Sequence, residues 1–147
     1  MTTANLIDVL LVEDNNDDAE LTIRELKKYH LANNLHHAKD GEEALKFIFD
    51  NKDADGNYLV KMPKLILLDI KMPKLNGIEL LEKLKQDDRT KLIPVVILTS
   101  SNEDPDIKKC YELGANSYIV KPVHFSGFAE SIKNIGLYWI LLNQSPI

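Results

Sequence analysis

Four short apolar runs punctuate this chain: Val9-Leu10-Leu11-Val12, Leu65-Ile66-Leu67-Leu68, Val95-Val96-Ile97-Leu98 and Ser117-Tyr118-Ile119-Val120. Runs of this length with little polar alternation read as strands buried on both faces, as in a parallel sheet. A weaker strand is expected over Leu35–Ala38. Between the runs, apolar residues recur at helical spacing. Ala19, Ile23 and Leu26 form one stripe, after N-cap candidates in Asn15-Asn16-Asp17-Asp18. Ala44, Leu45 and Ile48 form a second, in a helix from Glu42 to about Phe49. Ile78, Leu81 and Leu84 form a third, over Ile78–Lys85. A fourth helix is predicted with Asp104 as cap, Pro105 at its first position and Gly114 at its C-terminal stop. A last helix is predicted from Ser126 to about Leu142. The order is strand then helix, five times. It predicts an α/β fold: a doubly wound, five-stranded parallel sheet with helices on both faces and right-handed crossovers.

One segment breaks the rhythm. Asp50 to Met62 carries Asn51, Asp53, Asp55, Gly56 and Asn57 and reads as a long loop. Its acidic residues lack the spacing and the closing glutamate of a calcium loop.

Length and composition narrow the class. The chain has 147 residues, which fits one domain over 1–147, with 136–147 as an apolar C-terminal extension. The formal net charge is -5, which argues against direct DNA binding. The one cysteine, Cys110, leaves no internal disulfide and no cysteine-based zinc site, and fits a cytoplasmic setting. No signal-peptide pattern opens the chain, and no apolar stretch approaches the roughly 20 residues of a membrane span.

The strands end in chemistry. The first stops at Glu13-Asp14, the third at Asp69, the fourth at Thr99-Ser100 and the fifth at Lys121-Pro122. In open α/β sheets the carboxyl edge is where ligands bind. Glu13, Asp14 and Asp69 together would repel one another, and Mg²⁺, a hard ion that takes oxygen ligands, resolves that conflict. Asp69 is the candidate nucleophile, since a carboxylate can attack phosphorus and form an aspartyl phosphate. Lys121 would pair with a phosphoryl oxygen and Thr99 would donate its hydroxyl to another. A cis bond between Lys121 and Pro122 would aim the lysine inward.

These residues match a family. Leu10-Leu11-Val12-Glu13-Asp14, Leu67-Leu68-Asp69-Ile70-Lys71-Met72-Pro73, Asn76-Gly77, Pro94 to Thr99, Gly114-Ala115 and Tyr118-Ile119-Val120-Lys121-Pro122 resemble the receiver domains of two-component response regulators. The resemblance covers about residues 6 to 135. It implies a flavodoxin-like fold and a phosphoryl group taken from a sensor histidine kinase onto Asp69. It implies Mg²⁺ held by Glu13, Asp14, Asp69 and the backbone carbonyl of Lys71, with Lys121 as the family's lysine and Thr99 and Tyr118 as its switch pair. Such a domain is not a classical enzyme, although it assists its own phosphorylation and dephosphorylation. The sequence departs from many members in having Glu13-Asp14 rather than two aspartates. Lys71 adds a cation beside the acceptor and is expected to alter the lifetime of the phosphoryl group.

The tail Ile135-Gly136-Leu137-Tyr138-Trp139-Ile140-Leu141-Leu142 is apolar around most of a helix, more than a lone domain readily hides. With the Asp50–Met62 loop it resembles the stand-alone regulators of bacterial phytochrome kinases, which implies a homodimer through the last helix. Two other readings stay open. One is an adaptor that works without phosphorylation. The other is a small Mg²⁺-dependent phosphatase, which would need a second acid where Lys71 stands. His30, His36, His37 and His124 lack metal-ligand spacing and read as ordinary polar residues, Cys110 reads as structural, and no glycine-rich loop follows the first strand to support nucleotide binding.

Overall fold

The computed structural model describes residues 8–31, 33–59, 62–72, 75–121 and 125–144. Five strands, β1 (Val9–Val12), β2 (Leu35–Ala38), β3 (Leu65–Leu68), β4 (Val95–Thr99) and β5 (Ser117–Val120), form one parallel sheet in the order β2-β1-β3-β4-β5. β1, β3 and β4 lie at its centre and every one of their residues is buried, which is why they read as unbroken apolar runs. β2 and β5 are the edges and are only partly covered.

Alternate residues of the central strands point to opposite faces. Leu10, Val12, Ile66, Leu68, Val95 and Ile97 pack against α2 (Gly41–Leu45), α3 (Gly77–Gln86) and α4 (Asp104–Glu112). Val9, Leu11, Leu65, Leu67, Val96 and Leu98 pack against α1 (Asn16–Lys28) and α5 (Phe125–Gly136). A doubly wound sheet therefore holds two cores, one per face.

The helices follow the predicted spans with local differences. Asn15 caps α1, its side chain accepting from the Asp18 N–H at 2.9 Å. The buried stripe of α1 is Ala19, Thr22, Glu25 and Leu26, whereas Ile23 is half-buried at the rim of the core. In α3 the buried set includes Leu80 beside Leu81 and Leu84, and Ile78 is only partly covered. The helix predicted from Glu42 widens to a π-helical turn over Lys46–Asp50, and the last helix does so over Leu137–Leu142. Glu103, not Asp104, occupies the N-cap position of α4, and no side chain caps it. Asp104 and Pro105 sit inside the first turn, where a missing N–H costs nothing. Gly114 follows α4 with φ +105 as predicted, a backbone state that favours glycine.

The Asp50–Met62 connection is folded where described. Lys52 and Tyr58 form an antiparallel bridge, and the Asp53 carboxylate accepts the N–H groups of Asp55 and Asn57. The Arg89 guanidinium, 3.2 Å from the Tyr58 ring centroid, ties this small hairpin to the α3–β4 connection. Cys110 is buried in α4. Among the described residues, no helix is long and apolar enough to cross a membrane. The Lys121–Pro122 bond, Pro73, His124 and the ends of the chain lie outside the described residues.

Candidate phosphoryl and metal site

Register brings the strand ends together. Val12 pairs with Leu68, so Glu13 and Asp69 leave adjacent strands at the same level. Thr99 pairs with Val120, and the Lys121 N–H donates to the Thr99 carbonyl at 2.7 Å, which carries Lys121 to the same edge. Asn76 caps α3 and Gly77 lets that helix press on the loop after Asp69. A β-carbon on Gly77 would lie 2.4 Å from the Asp69 carbonyl oxygen and 2.5 Å from the Ile70 α-carbon.

The site is largely desolvated. Glu13 is 2% exposed, Asp69 6% and Thr99 0%, while Asp14 faces solvent. The Lys121 ammonium sits among three carboxylates, 2.5 Å from Glu13 Oε1, 2.7 Å from Asp18 Oδ2 and 3.1 Å from Asp69 Oδ2. The other oxygen of Asp69, Oδ1, accepts the Lys71 backbone N–H at 3.0 Å. Both oxygens of the acceptor candidate are thus held in place.

The electrostatics follow from one cation facing an excess of acids. Burial, with Asp69 as hydrogen-bond partner and neighbouring charge, raises Glu13 to about 8 against the opposing pull of Lys121. Burial also pushes Asp69 upward, but hydrogen bonds from Glu13 and Thr99 and the charge of Lys121 outweigh it and hold Asp69 below its ordinary value. The two carboxyls titrate together, Glu13 displaced upward and Asp69 downward. For Lys121 burial works against the charge, and Asp18 and Glu13 more than compensate, so its pKa is raised.

Glu13, Asp14 and Asp69 each offer a carboxylate oxygen, all within 4.8 Å of one another, and are the acidic group of this kind among the described residues. An all-oxygen set with one exposed member suits a hard divalent ion that keeps some of its water. The buried Lys121 ammonium already bridges Glu13 and Asp69, so the edge is built for positive charge.

The remaining predicted residues fall around this centre. Tyr118 packs on the core of the α3–α4 face and its hydroxyl donates to the Ser101 carbonyl at 2.9 Å. Thr99 Oγ accepts the Ser101 N–H at 3.4 Å, so both switch candidates meet at Ser101. The Lys71 side chain points away, to Asp106. Asp18 and His37 are additions that the sequence reading missed. Asp18 lies in the first turn of α1, a place that an acidic residue commonly takes to cap the helix dipole, so nothing marked it as a ligand of Lys121. His37 is not merely an exposed polar residue of β2: its Nε2 makes a 2.8 Å hydrogen bond with the Glu13 carbonyl oxygen, bracing the acidic loop. His36 on the other face of β2 stacks on Phe47.

Comparison with known proteins agrees with this geometry. The family model "Response regulator receiver domain" matches residues 9–133. Response regulator Rcp1 of Synechocystis sp. (strain ATCC 27184 / PCC 6803 / Kazusa) is 33% identical over 132 residues, 90% of this chain and 88% of its own. The Mn²⁺-bound structure of Rcp1 superposes with a TM-score of 0.85 at 31% identity, over 97% of this chain and 99% of that one. The phosphorylated cyanobacterial phytochrome response regulator RcpA gives a TM-score of 0.85 at 33% identity, over 96% and 99%. The bacteriophytochrome response regulator AtBRR is 45% identical, with a TM-score of 0.69, over 95% and 99%.

Proposed function

Because the chain belongs to the response-regulator receiver family and serves as a phosphoryl acceptor in two-component signalling, we propose that Asp69 is the residue that takes the phosphoryl group. The observation that carries this is the Asp69 carboxylate itself: buried at the end of a central strand, held ionised, and fixed between the Lys121 ammonium and the Lys71 N–H. Receivers pair with sensor histidine kinases, so the donor is a phosphohistidine. An Asp69 carboxylate oxygen forms the new bond to phosphorus as the phosphorus–nitrogen bond breaks, and the imidazole leaves with the electron pair. Lys121 pairs with a phosphoryl oxygen, and the Thr99 hydroxyl donates to another. These are positioning and charge-neutralising roles, which is most of what phosphoryl transfer requires. The chain thereby assists its own phosphorylation and dephosphorylation.

The residues fit Mg²⁺. Glu13, Asp14, Asp69 and the Lys71 carbonyl would hold it, and it would neutralise charge on the transferring group. Once Asp69 carries a phosphoryl group, with about -1.5 to -2 charges and three acceptor oxygens in place of the single carboxylate charge, Thr99 is drawn to them and Tyr118 repacks, altering the face made by α4, β5 and α5. Incubation with acetyl phosphate and intact-mass measurement tests this reading. A single adduct that needs Mg²⁺ and disappears in Asp69→Asn supports it. An adduct that survives in Asp69→Asn refutes it.

We further propose that 1–147 acts as one receiver unit in the cytoplasm, with no direct DNA contact at its net charge of -5, and that its donor is a bacterial phytochrome kinase. The likeness to RcpA, Rcp1 and AtBRR supports that donor. A homodimer through the last helix and tail completes the reading. Tyr138, Leu141 and Leu142 are 51%, 62% and 75% exposed, while Trp139 and Ile140 of the same turn pack on the core. Sizing chromatography of the protein and of Leu141→Ser/Leu142→Ser tests it. The dimer is expected to dissociate in the variant while the phosphoryl adduct remains.

A further inference from the structure

The Lys71 ammonium, two residues past the acceptor, is not aimed at it. Its Nζ lies 3.3 Å from Oδ2 of Asp106, in the first turn of α4. The same Oδ2 accepts the Ser101 hydroxyl at 2.7 Å. Ser101 also holds the Tyr118 hydroxyl and faces Thr99. The other end of Lys71 is tied to the acceptor, because its backbone N–H donates to Asp69 Oδ1. One lysine therefore spans from Asp69 to α4.

The two partners are not equally fixed. The Asp106 side chain is 19% exposed and Lys71 is 53% exposed. An open recess of about 370 Å³ beside them, lined by both residues with Ile70, Met72, Asn76 and Ile78, leaves the lysine stem room to swing. A half-exposed ion pair of this kind is weak. A phosphoryl group puts about -1.5 to -2 charges and three acceptor oxygens where the Asp69 carboxylate had one charge, against the single charge of Asp106.

We propose that Asp106 is a positioning residue for the phosphoryl chemistry: it competes with the phosphorylated acceptor for the Lys71 ammonium, and so couples the state of the acceptor to the first turn of α4. This rests on the reading of Asp69 as acceptor. In the resting protein Asp106 holds Lys71 off the acceptor. After phosphorylation Lys71 divides its time between Asp106 and the phosphoryl oxygens. When it moves, α4 loses its charged tie to the loop after β3 but keeps the Ser101 hydrogen bond. Lys71 over the phosphoryl oxygens obstructs hydrolysis. In that reaction a water oxygen bonds to phosphorus as the Asp69 oxygen–phosphorus bond breaks. Inorganic phosphate leaves, Asp69 returns as carboxylate, and one proton passes to solvent.

The test is a double-mutant cycle on phosphoryl lifetime. Wild type, Asp106→Asn, Lys71→Met and the double variant are loaded with acetyl phosphate and Mg²⁺, freed of donor, and followed by intact mass. Asp106→Asn retains an oxygen for the Ser101 hydroxyl, and Lys71→Met retains the apolar stem, so the local packing persists and thermal melts verify it. Asp106→Asn is expected to slow loss of the phosphoryl group about two- to five-fold, the range of a weak ion pair. Lys71→Met and the double variant are expected to match. Equal lifetimes in wild type and Asp106→Asn, faster loss, or the same change in both lysine backgrounds would overturn the role of Asp106 while leaving Asp69 as acceptor. A wild-type protein without an adduct would remove the acceptor reading and this coupling with it.

Discussion

Glu13 shows how one buried residue sets a solution property. Its pKa is raised to about 8 from an ordinary 4.5, with burial first and Asp69 second as causes. At Glu13 the folded protein therefore binds more protons than the unfolded chain between those values. Such a group contributes stability that is fully present below about 4.5 and lost as pH rises through about 8. Asp69 shifts the other way, and its contribution is lost only on acidification below its ordinary range. Burial holds His36 below its ordinary 6.5, which works in the opposite sense, so the Glu13 share is read by difference. In thermal melts with a chelator between pH 5 and pH 8, Glu13→Gln should make the slope of Tm against pH less negative than in wild type. A slope unchanged in Glu13→Gln would place the proton elsewhere. The sequence had marked Glu13, Asp14, Asp69, Thr99 and Lys121, because each ends a strand. Asp18 and His37 escaped because each has a sufficient local explanation, one as a first-turn acid and the other as an edge-strand residue. Only the arrival of Lys121 and the Glu13 carbonyl beside them gives them a second role.

At the scale of elements, the N-terminus of α3 matters most to the site. Gly77 permits the contact with the loop after Asp69, and the Gly77 N–H bonds to the Ile70 carbonyl at 3.2 Å. Gly77→Ala should cost about 1–3 kcal/mol in urea denaturation, as overpacking does, and should slow phosphorylation by acetyl phosphate. The Asn76-Gly77 turn was legible, but that its glycine faces Asp69 was not, since the contact joins separate segments. The hairpin within Asp50–Met62 is a similar case. Its Gly and Asp residues announced a loop, and in the fold Arg89, far along the chain, lies over Tyr58 and bonds the Ile48 carbonyl. Tyr58→Ala should open this segment to limited proteolysis at 51–59 with a loss of about 1 kcal/mol, the range of a cation–π contact. Unchanged cleavage would show that the hairpin stands without Arg89.

Across the whole molecule, the two cores lie on opposite faces of the sheet and the acidic edge lies where both end. A divalent ion that binds only the folded protein stabilises it by mass action. Raising Mg²⁺ should therefore lift the Tm progressively, more at pH 8 than at pH 6, because the ion must displace the Glu13 proton. Asp69→Asn, lacking one carboxylate of the set, should show a smaller rise. An equal rise in that variant would place the ion elsewhere. The tail divides at this scale too: its apolar character was plain, but which side chains meet α1 and which face outward depended on how α5 packs.

By itself the sequence determined the alternation of strands and helices, the parallel sheet and the acids, hydroxyl and lysine that end its strands. Buried strands must be apolar and their polar ends must break the run, so both signals are local. The tertiary structure alone decided which of those groups touch. Register places Glu13 beside Asp69, a lysine that follows the edge strand reaches three carboxylates, and Lys71 turns from Asp69 to Asp106. Those are distances between segments remote in sequence, set by packing and charge in a desolvated site, and no local pattern encodes them.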